Sequence, residues 1–167
     1  MRTLTLAAAA LLVSAPVFAA TGALAAPASV SVTVGPELQL KGEKTLGMRD
    51  LNDLAKTLQS DVERRLAKTG AYDGARIELI LVDAQPNRPT FKQLSDSPGL
   101  SLRSFGIGGA KIEGRAVAAD GAVTPLSYDY YAPDIRWARG EATWSDAEQT
   151  FEQFAAQLGR GKAVASR

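Results

Sequence analysis

Aromatic and arginine side chains concentrate between residues 128 and 144 of this sequence. Arginine supplies a permanent charge and bidentate hydrogen bonds, and tryptophan and tyrosine supply large rigid surfaces, so together they suit recognition of a protein, a glycan or a lipid headgroup. In the alternative interpretation, the aromatic rings close one end of the core and the arginines decorate it. The candidate binding residues are Tyr128, Tyr130, Arg136, Trp137, Arg139 and Trp144.

Several chemistries are excluded because the sequence contains no cysteine and no histidine. Without thiols there is no disulfide, no cysteine nucleophile and no zinc ribbon. Without imidazole there is no Ser-His-Asp catalysis and no histidine-ligated metal site. We therefore expect a protein that is not an enzyme, with no catalytic residues, no metal and no cofactor.

Carboxylates leave one enzymatic alternative open, a hydrolase that uses aspartate or glutamate. Its candidates are Asp129, Asp134 and Glu141. Such chemistry needs one buried acid with a raised pKa beside an ionised partner, and the sequence shows neither burial nor distance. The glycines of Gly106–Gly109 precede a predicted strand rather than a helix, which argues against a phosphate-binding loop.

Residues 1–25 have the pattern of a cleavable signal peptide. Arg2 precedes the apolar run Leu4–Val13, and small-residue sites allow cleavage after Ala19 or after Ala25. The run is shorter than the roughly 20 residues that span a membrane. We therefore expect a bacterial protein that is periplasmic or secreted, with no transmembrane segment.

The charge balance points away from nucleic acid as a partner. Lysine and arginine number 19 and acidic residues number 18, for a net charge of +1, and removal of Arg2 with the leader makes the two equal. With equal numbers of positive and negative residues, the protein has no net positive charge that would attract a polyanion. The expected partner is an envelope protein or a glycan, and the oligomeric state stays open.

The best-defined element is a helix from Asp50 to Gly70. Asp50 is its predicted N-cap and Gly70 its predicted left-handed end. Apolar residues recur at the spacing of one helical face. They are Leu51, Leu54, Ala55, Leu58, Val62 and Leu66.

Alternating and β-branched patterns predict four strands, and a capping box predicts a second helix. Asp120-Gly121 favours a two-residue type I′ turn between the last two strands, which would place Tyr128 on a charged face. We favour instead either a one-residue bulge, which Pro125 would allow and which would bury the tyrosines, or a second covered face of the sheet. The strands are Val30–Val34, Arg76–Asp83, Lys111–Ala118 and Val123–Tyr131, and the helix begins at Ser145 and ends before Gly159.

The segment Gln85–Gly109 is longer than the connections of most compact domains. Thr90 and Gln93 form a capping box for one short helical turn. We expect the apolar residues of this loop to pack against the rest of the domain and pin the loop there, which would make it a structural segment. The alternative is that the loop is functional. These residues are Phe91, Leu94, Leu100, Leu102, Phe105 and Ile107.

This order of elements predicts an α+β two-layer sandwich. We expect a mainly antiparallel sheet of about four strands with two helices on one face, a single domain over residues 29–159, and a flexible tail over 160–167.

The chain resembles small exported α+β domains of the bacterial envelope, and in element order it is similar to the N-terminal domain of TolB. The similarity rests on the helix Leu51–Gly70 with Arg64-Arg65, on the Asp120-Gly121 hairpin, and on Thr143–Ala147 leading into Phe151–Ala155. The resemblance implies no catalytic residues. The propeller of TolB is missing, and a lipid anchor would need a cysteine that this chain lacks.

Export, the excluded chemistries and the aromatic-arginine segment together predict a non-enzymatic binding or accessory domain that recognises another envelope component. The alternatives are the hydrolase and a peripheral membrane or glycan binder.

Overall fold

A computed structural model of the chain describes residues 26–161. The predicted leader, residues 1–25, and residues 162–167 of the predicted tail lie outside the described residues. Four strands form one sheet in chain order, with β1 parallel to β2 and the other neighbours antiparallel. This α+β architecture confirms the predicted fold class. The strands are β1 (Ser29–Val34), β2 (Arg76–Gln85), β3 (Gly109–Val117) and β4 (Val123–Tyr131).

The two long helices pack side by side, and their buried residues form one core with the inner face of the sheet. In the described part of the chain, no helix has both the length and the apolar character needed to cross a membrane. A π-helical turn, Gly42–Leu46, connects the first two helices. The helices are α1 (Pro36–Lys41), α2 (Met48–Thr69), α3 (Phe91–Asp96) and α4 (Ser145–Leu158).

Helix α2 carries the apolar face that its spacing predicts. Leu58, Val62 and Leu66 are fully buried, and Gly70 ends the helix with φ 70° while its N–H donates to Leu66 O. The predicted cap at Asp50 is wrong, because the helix begins at Met48 with Gly47 in the N-cap position. Asp50 instead lies in the first turn, where the helix dipole favours a carboxylate.

The β3–β4 hairpin has a three-residue loop instead of the two-residue turn. Gly121 has φ 87°, whereas Asp120 has a negative φ, which excludes a type I′ turn. The Ala118 N–H donates to Ala122 O at 2.9 Å and closes the loop. The extra residue shifts the register so that Tyr128 pairs with Ile112 on the inner face, as the preferred bulge interpretation expects. The shift comes from the turn and not from Pro125.

The outer face of the sheet is open and polar. Strand β2 is an interior strand of the sheet, but Ile80 on this face is 42% exposed. Glu78 pairs there with Arg115 of the neighbouring strand at 2.6 Å. Both long helices therefore cover one side of the sheet only.

Candidate functional site

Two long connections leave the sheet at the same end. Gln85 is in register with Gly109, and Gly109 is in register with Tyr131, so the β2–β3 loop (86–108) and the β4–α4 segment (132–144) emerge together. The indole N–H of Trp144 donates to the carboxylate of Asp50 at 3.4 Å, which brings the first turns of α2 and α4 to this end as well. We call this part of the molecule the loop end.

A buried polar pair holds the two connections in place. Asp146 is fully buried, and one of its oxygens accepts hydrogen bonds from Asn87 Nδ2 at 2.6 Å and from the Gly108 N–H at 3.1 Å. Its other oxygen accepts from the Arg139 N–H at 2.9 Å. Asn87 is 1% exposed, and its Oδ1 accepts a hydrogen bond from the Asp146 N–H at 2.9 Å. Such satisfied buried networks fix one arrangement of the chain.

Arg88 adds a second bridge between the same connections. Its guanidinium donates from Nε to Gly140 O at 2.6 Å and from Nη1 to Leu102 O at 2.7 Å. The predicted capping box at Thr90 is confirmed, since Thr90 Oγ1 accepts from the Gln93 N–H at 3.2 Å and Gln93 Oε1 accepts from the Thr90 N–H at 3.0 Å. Hydrogen bonds, rather than apolar anchors, therefore order the long loop.

The apolar residues of this loop lie largely outside the core, so the prediction that they pin it is wrong. Phe91 is 83% exposed and Leu102 is 66% exposed, while Leu94 and Ile107 are half-buried. The described residues expose nine large hydrophobic side chains, and six of them belong to the loop end. We call these six the loop-end surface: Phe91, Leu100, Leu102, Phe105, Ile135 and Trp137.

Two of the predicted binding residues, Tyr128 and Tyr130, lie on the inner face of β4. The Tyr128 hydroxyl donates to Gln153 Oε1 at 2.7 Å, and its ring lies 6.2 Å from the ring of Phe154. Burial and the nearby Asp129 carboxylate raise the pKa of Tyr128. These contacts tie the half-buried Tyr128 to helix α4 and leave little of its ring for a partner.

The other predicted binding residues lie at the loop end. Trp137 is 69% exposed, and Arg139 is exposed. Arg136 makes two hydrogen bonds to the Asp134 carboxylate, at 2.9 and 3.1 Å. Trp144 is 8% exposed and lines a groove that the other candidates do not reach. The structure therefore separates the six candidates into an inner-face pair, an exposed group and a groove residue.

The groove that contains Trp144 holds about 250 Å³ and runs between the first turns of α2 and α4 and the short helix α3. Leu54 and Trp144 are its buried floor, and Phe91 and Leu102 are its exposed walls. Among the described residues that line it, the charged ones are all acidic. They are Asp50, Asp53 and Glu148, and we call the site the acidic groove.

Sequence reasoning missed the acidic groove because its lining comes from three segments that are far apart in the chain. Helical spacing places Asp50 and Asp53 near one end of α2, but no local pattern brings Glu148 or Leu102 to the same place. Burial raises the pKa of Glu148, and the neighbouring carboxylates of Asp61 and Glu152 raise it further. This carboxyl is therefore harder to ionise than an ordinary glutamate.

The carboxylates of the hydrolase alternative do not line this groove. Asp129 lies on the outer face of β4, and Glu141 is exposed in the β4–α4 segment. Hydrogen bonds from the Arg136 side chain and backbone lower the pKa of Asp134, which keeps it ionised and unsuited to donate a proton. Across residues 26–161, no cluster of three or more acidic side chains is placed to hold a metal ion.

No family model, curated protein or solved structure matches this chain, so its resemblance to the TolB domain stays a prediction.

Proposed function

We propose that this protein is an exported, non-enzymatic binding protein of the bacterial cell envelope, and that its loop-end surface recognises another envelope protein. The observation that carries the proposal is the concentration of exposed apolar side chains at one end of the molecule. Monomeric soluble proteins seldom expose large grouped apolar side chains without an interaction to use them.

The polar network beneath the surface supports a binding role. Since Asp146, Asn87 and Arg88 fix the backbone of both connections, the exposed apolar side chains of the loop are not needed for its anchorage. A backbone ordered before contact loses less conformational entropy when a partner binds. The apolar side chains at the loop end are therefore available for association.

The composition of the loop-end surface fits a protein partner. Phe91, Phe105 and Trp137 offer aromatic area, and Arg139 adds an exposed cation at the same end of the molecule. Aromatic residues and arginine are enriched among the residues that dominate protein interfaces. The leader pattern of residues 1–25 supports a partner in the periplasm or outside the cell.

A pull-down from envelope extract tests this function with two matched variants. Leu102→Ser/Trp137→Ser changes two loop-end side chains that are 66% and 69% exposed. Ile80→Ser/Val123→Ser changes two exposed side chains, 42% and 59%, that belong to the strands of the sheet and not to the loop end. We expect a partner that the wild type and the second variant retain and the first variant loses. Identical partner sets for all three proteins would overturn the proposal.

Co-sedimentation separates this function from a membrane or glycan role. We expect the wild type to stay in the supernatant with liposomes of anionic phospholipid and with purified peptidoglycan. Sedimentation that Leu102→Ser/Trp137→Ser abolishes would assign the loop-end surface to one of those materials instead of a protein.

A further inference from the structure

We infer that the acidic groove binds a basic, apolar peptide segment of the partner, in which a lysine or arginine stands beside a leucine-like side chain. This inference rests on the proposed function and adds the chemistry of the segment that is recognised. The groove shares Phe91 and Leu102 with the loop-end surface, so it is tested with Asp53 and Glu148, which line the groove and do not belong to that surface.

The size and lining of the groove favour a peptide side chain over a small metabolite. Its volume of about 250 Å³ lies below the roughly 300–1,000 Å³ of most small-molecule sites. The buried Leu54 and Trp144 form an apolar floor beneath the exposed ring of Phe91. An aliphatic side chain inserted there would cover apolar area on both partners.

The charge of the groove predicts the sign of the charge on the peptide segment that it binds. The groove has three carboxylates at its edge, and the N-termini of α2 and α4 oppose them with about half a positive charge each. Lys56 contacts Asp53 at 3.2 Å, which leaves a net negative charge of about one. The Lys56 side chain is 78% exposed, and such surface pairs contribute little, so a peptide cation can replace it.

Tryptophan fluorescence gives a direct readout. The chain has two tryptophans, and Trp137→Phe leaves Trp144 in the groove as the single indole. The probes are the peptides acetyl-Lys-Leu-Leu-Lys-amide and acetyl-Glu-Leu-Leu-Glu-amide. We expect the basic peptide to change Trp144 emission in a saturable way, with binding that weakens as salt rises, and the acidic peptide to have no effect.

Two exposed carboxylates supply the decisive variant. In the Trp137→Phe background, we expect Asp53→Asn/Glu148→Gln to weaken binding of the basic peptide about tenfold. The control is Glu63→Gln. It removes an exposed carboxylate of α2 that does not line the groove, so it should leave the affinity unchanged. Circular dichroism of each variant confirms that it is folded.

Three results would overturn the inference: no emission change with the basic peptide, an equal response to the acidic peptide, or equal affinity of the double variant and the control. None of these results would contradict the proposed function. That function is tested by whether Leu102→Ser/Trp137→Ser loses a partner in the pull-down. If the pull-down variant loses a partner but the basic peptide does not change Trp144 emission, the proposed binding function stands and only the inference about a basic peptide is wrong.

Discussion

The Asp146 carboxylate accepts hydrogen bonds from groups of three separate positions in the chain, Asn87, Gly108 and Arg139. It is fully buried, and it lies in the first turn of α4, where the helix dipole stabilises a negative charge. Removal of the carboxylate leaves three donors without their acceptor. Unsatisfied buried groups of this kind each cost about 1–3 kcal/mol.

We expect Asp146→Ala to lower the free energy of unfolding by about 3 kcal/mol, because the lost charge-assisted bonds are only partly replaced by water. Urea unfolding followed by circular dichroism measures the change. The matched control is Asp73→Ala, an exposed aspartate for which we expect a change within about 0.5 kcal/mol. Equal stability of the two variants would show that the buried network contributes nothing.

The sequence could not identify these polar residues as structural. Asn87 and Asp146 are 59 positions apart, and a hydrogen bond between side chains has no periodic signature. The spacing that marks buried apolar residues has no counterpart for a single buried pair. This is why the sequence predicts an anchoring role for the apolar residues of the loop, whereas Asn87, Arg88 and Asp146 perform that role in the structure.

The contact between β2 and β3 depends on the small residue Gly114. A Cβ at this position would meet the backbone oxygen of Glu78 and would lie 2.9 Å from Leu79 Cα, so the neighbouring strand would have to move. We expect Gly114→Ala to destabilise the protein by about 2 kcal/mol, measured by urea unfolding. Gly106→Ala is the control, since its Cβ would enter open space and should change stability by less than about 0.5 kcal/mol. Equal effects would contradict a tight strand pair.

The elements with strong periodic patterns were predictable, and those that depend on one backbone angle were not. The apolar face of α2 follows from spacing alone, and five of its six predicted residues are buried, with Ala55 half-buried. The hairpin register, in contrast, depends on whether Asp120 adopts positive φ together with Gly121. That choice shifts every side chain of β4 to the other face.

Carboxylates accumulate where α2 packs beside α4. Burial and the charges of Asp61 and Glu152 raise the pKa of Glu148 in the folded protein. A raised folded pKa contributes stability that is fully present below the unfolded value, about 4.3, and that is lost as pH rises through the folded value. At neutral pH, the ionised Glu148 therefore works against folding.

We expect Glu148→Gln to be more stable than the wild type at pH 7, with a difference that shrinks toward pH 4. Urea unfolding at several pH values measures this dependence, and Glu63→Gln on the exposed side of α2 is the control. A stability difference that stays constant from pH 4 to pH 7 would show that Glu148 titrates as it does in the unfolded chain.

At the scale of the whole molecule, a sheet with two covering helices supports a loop end made of irregular backbone. The architecture was predictable because the order of strands and helices permits few simple arrangements. The loop end was not, because its shape comes from hydrogen bonds between two connections that are separated by β3 and β4. The proposed function requires that this irregular part be as well ordered as the sheet that supports it.

Hydrogen exchange tests that requirement. The Asn87 N–H donates to Thr143 O at 2.7 Å, and the Gly106 N–H donates to Asn87 O at 2.7 Å, although neither residue belongs to a helix or strand. We expect both amides to exchange within about tenfold of the slow amides of β2. The Arg103 N–H, which donates only to the exposed Ser101 hydroxyl at 3.2 Å, should exchange much faster. In Asp146→Ala, the Asn87 and Gly106 amides should lose their protection while the β2 amides keep most of theirs. Fast exchange of Asn87 in the wild type would mean that the loop end opens locally, and its apolar residues would then lack the fixed backbone on which the proposed recognition depends.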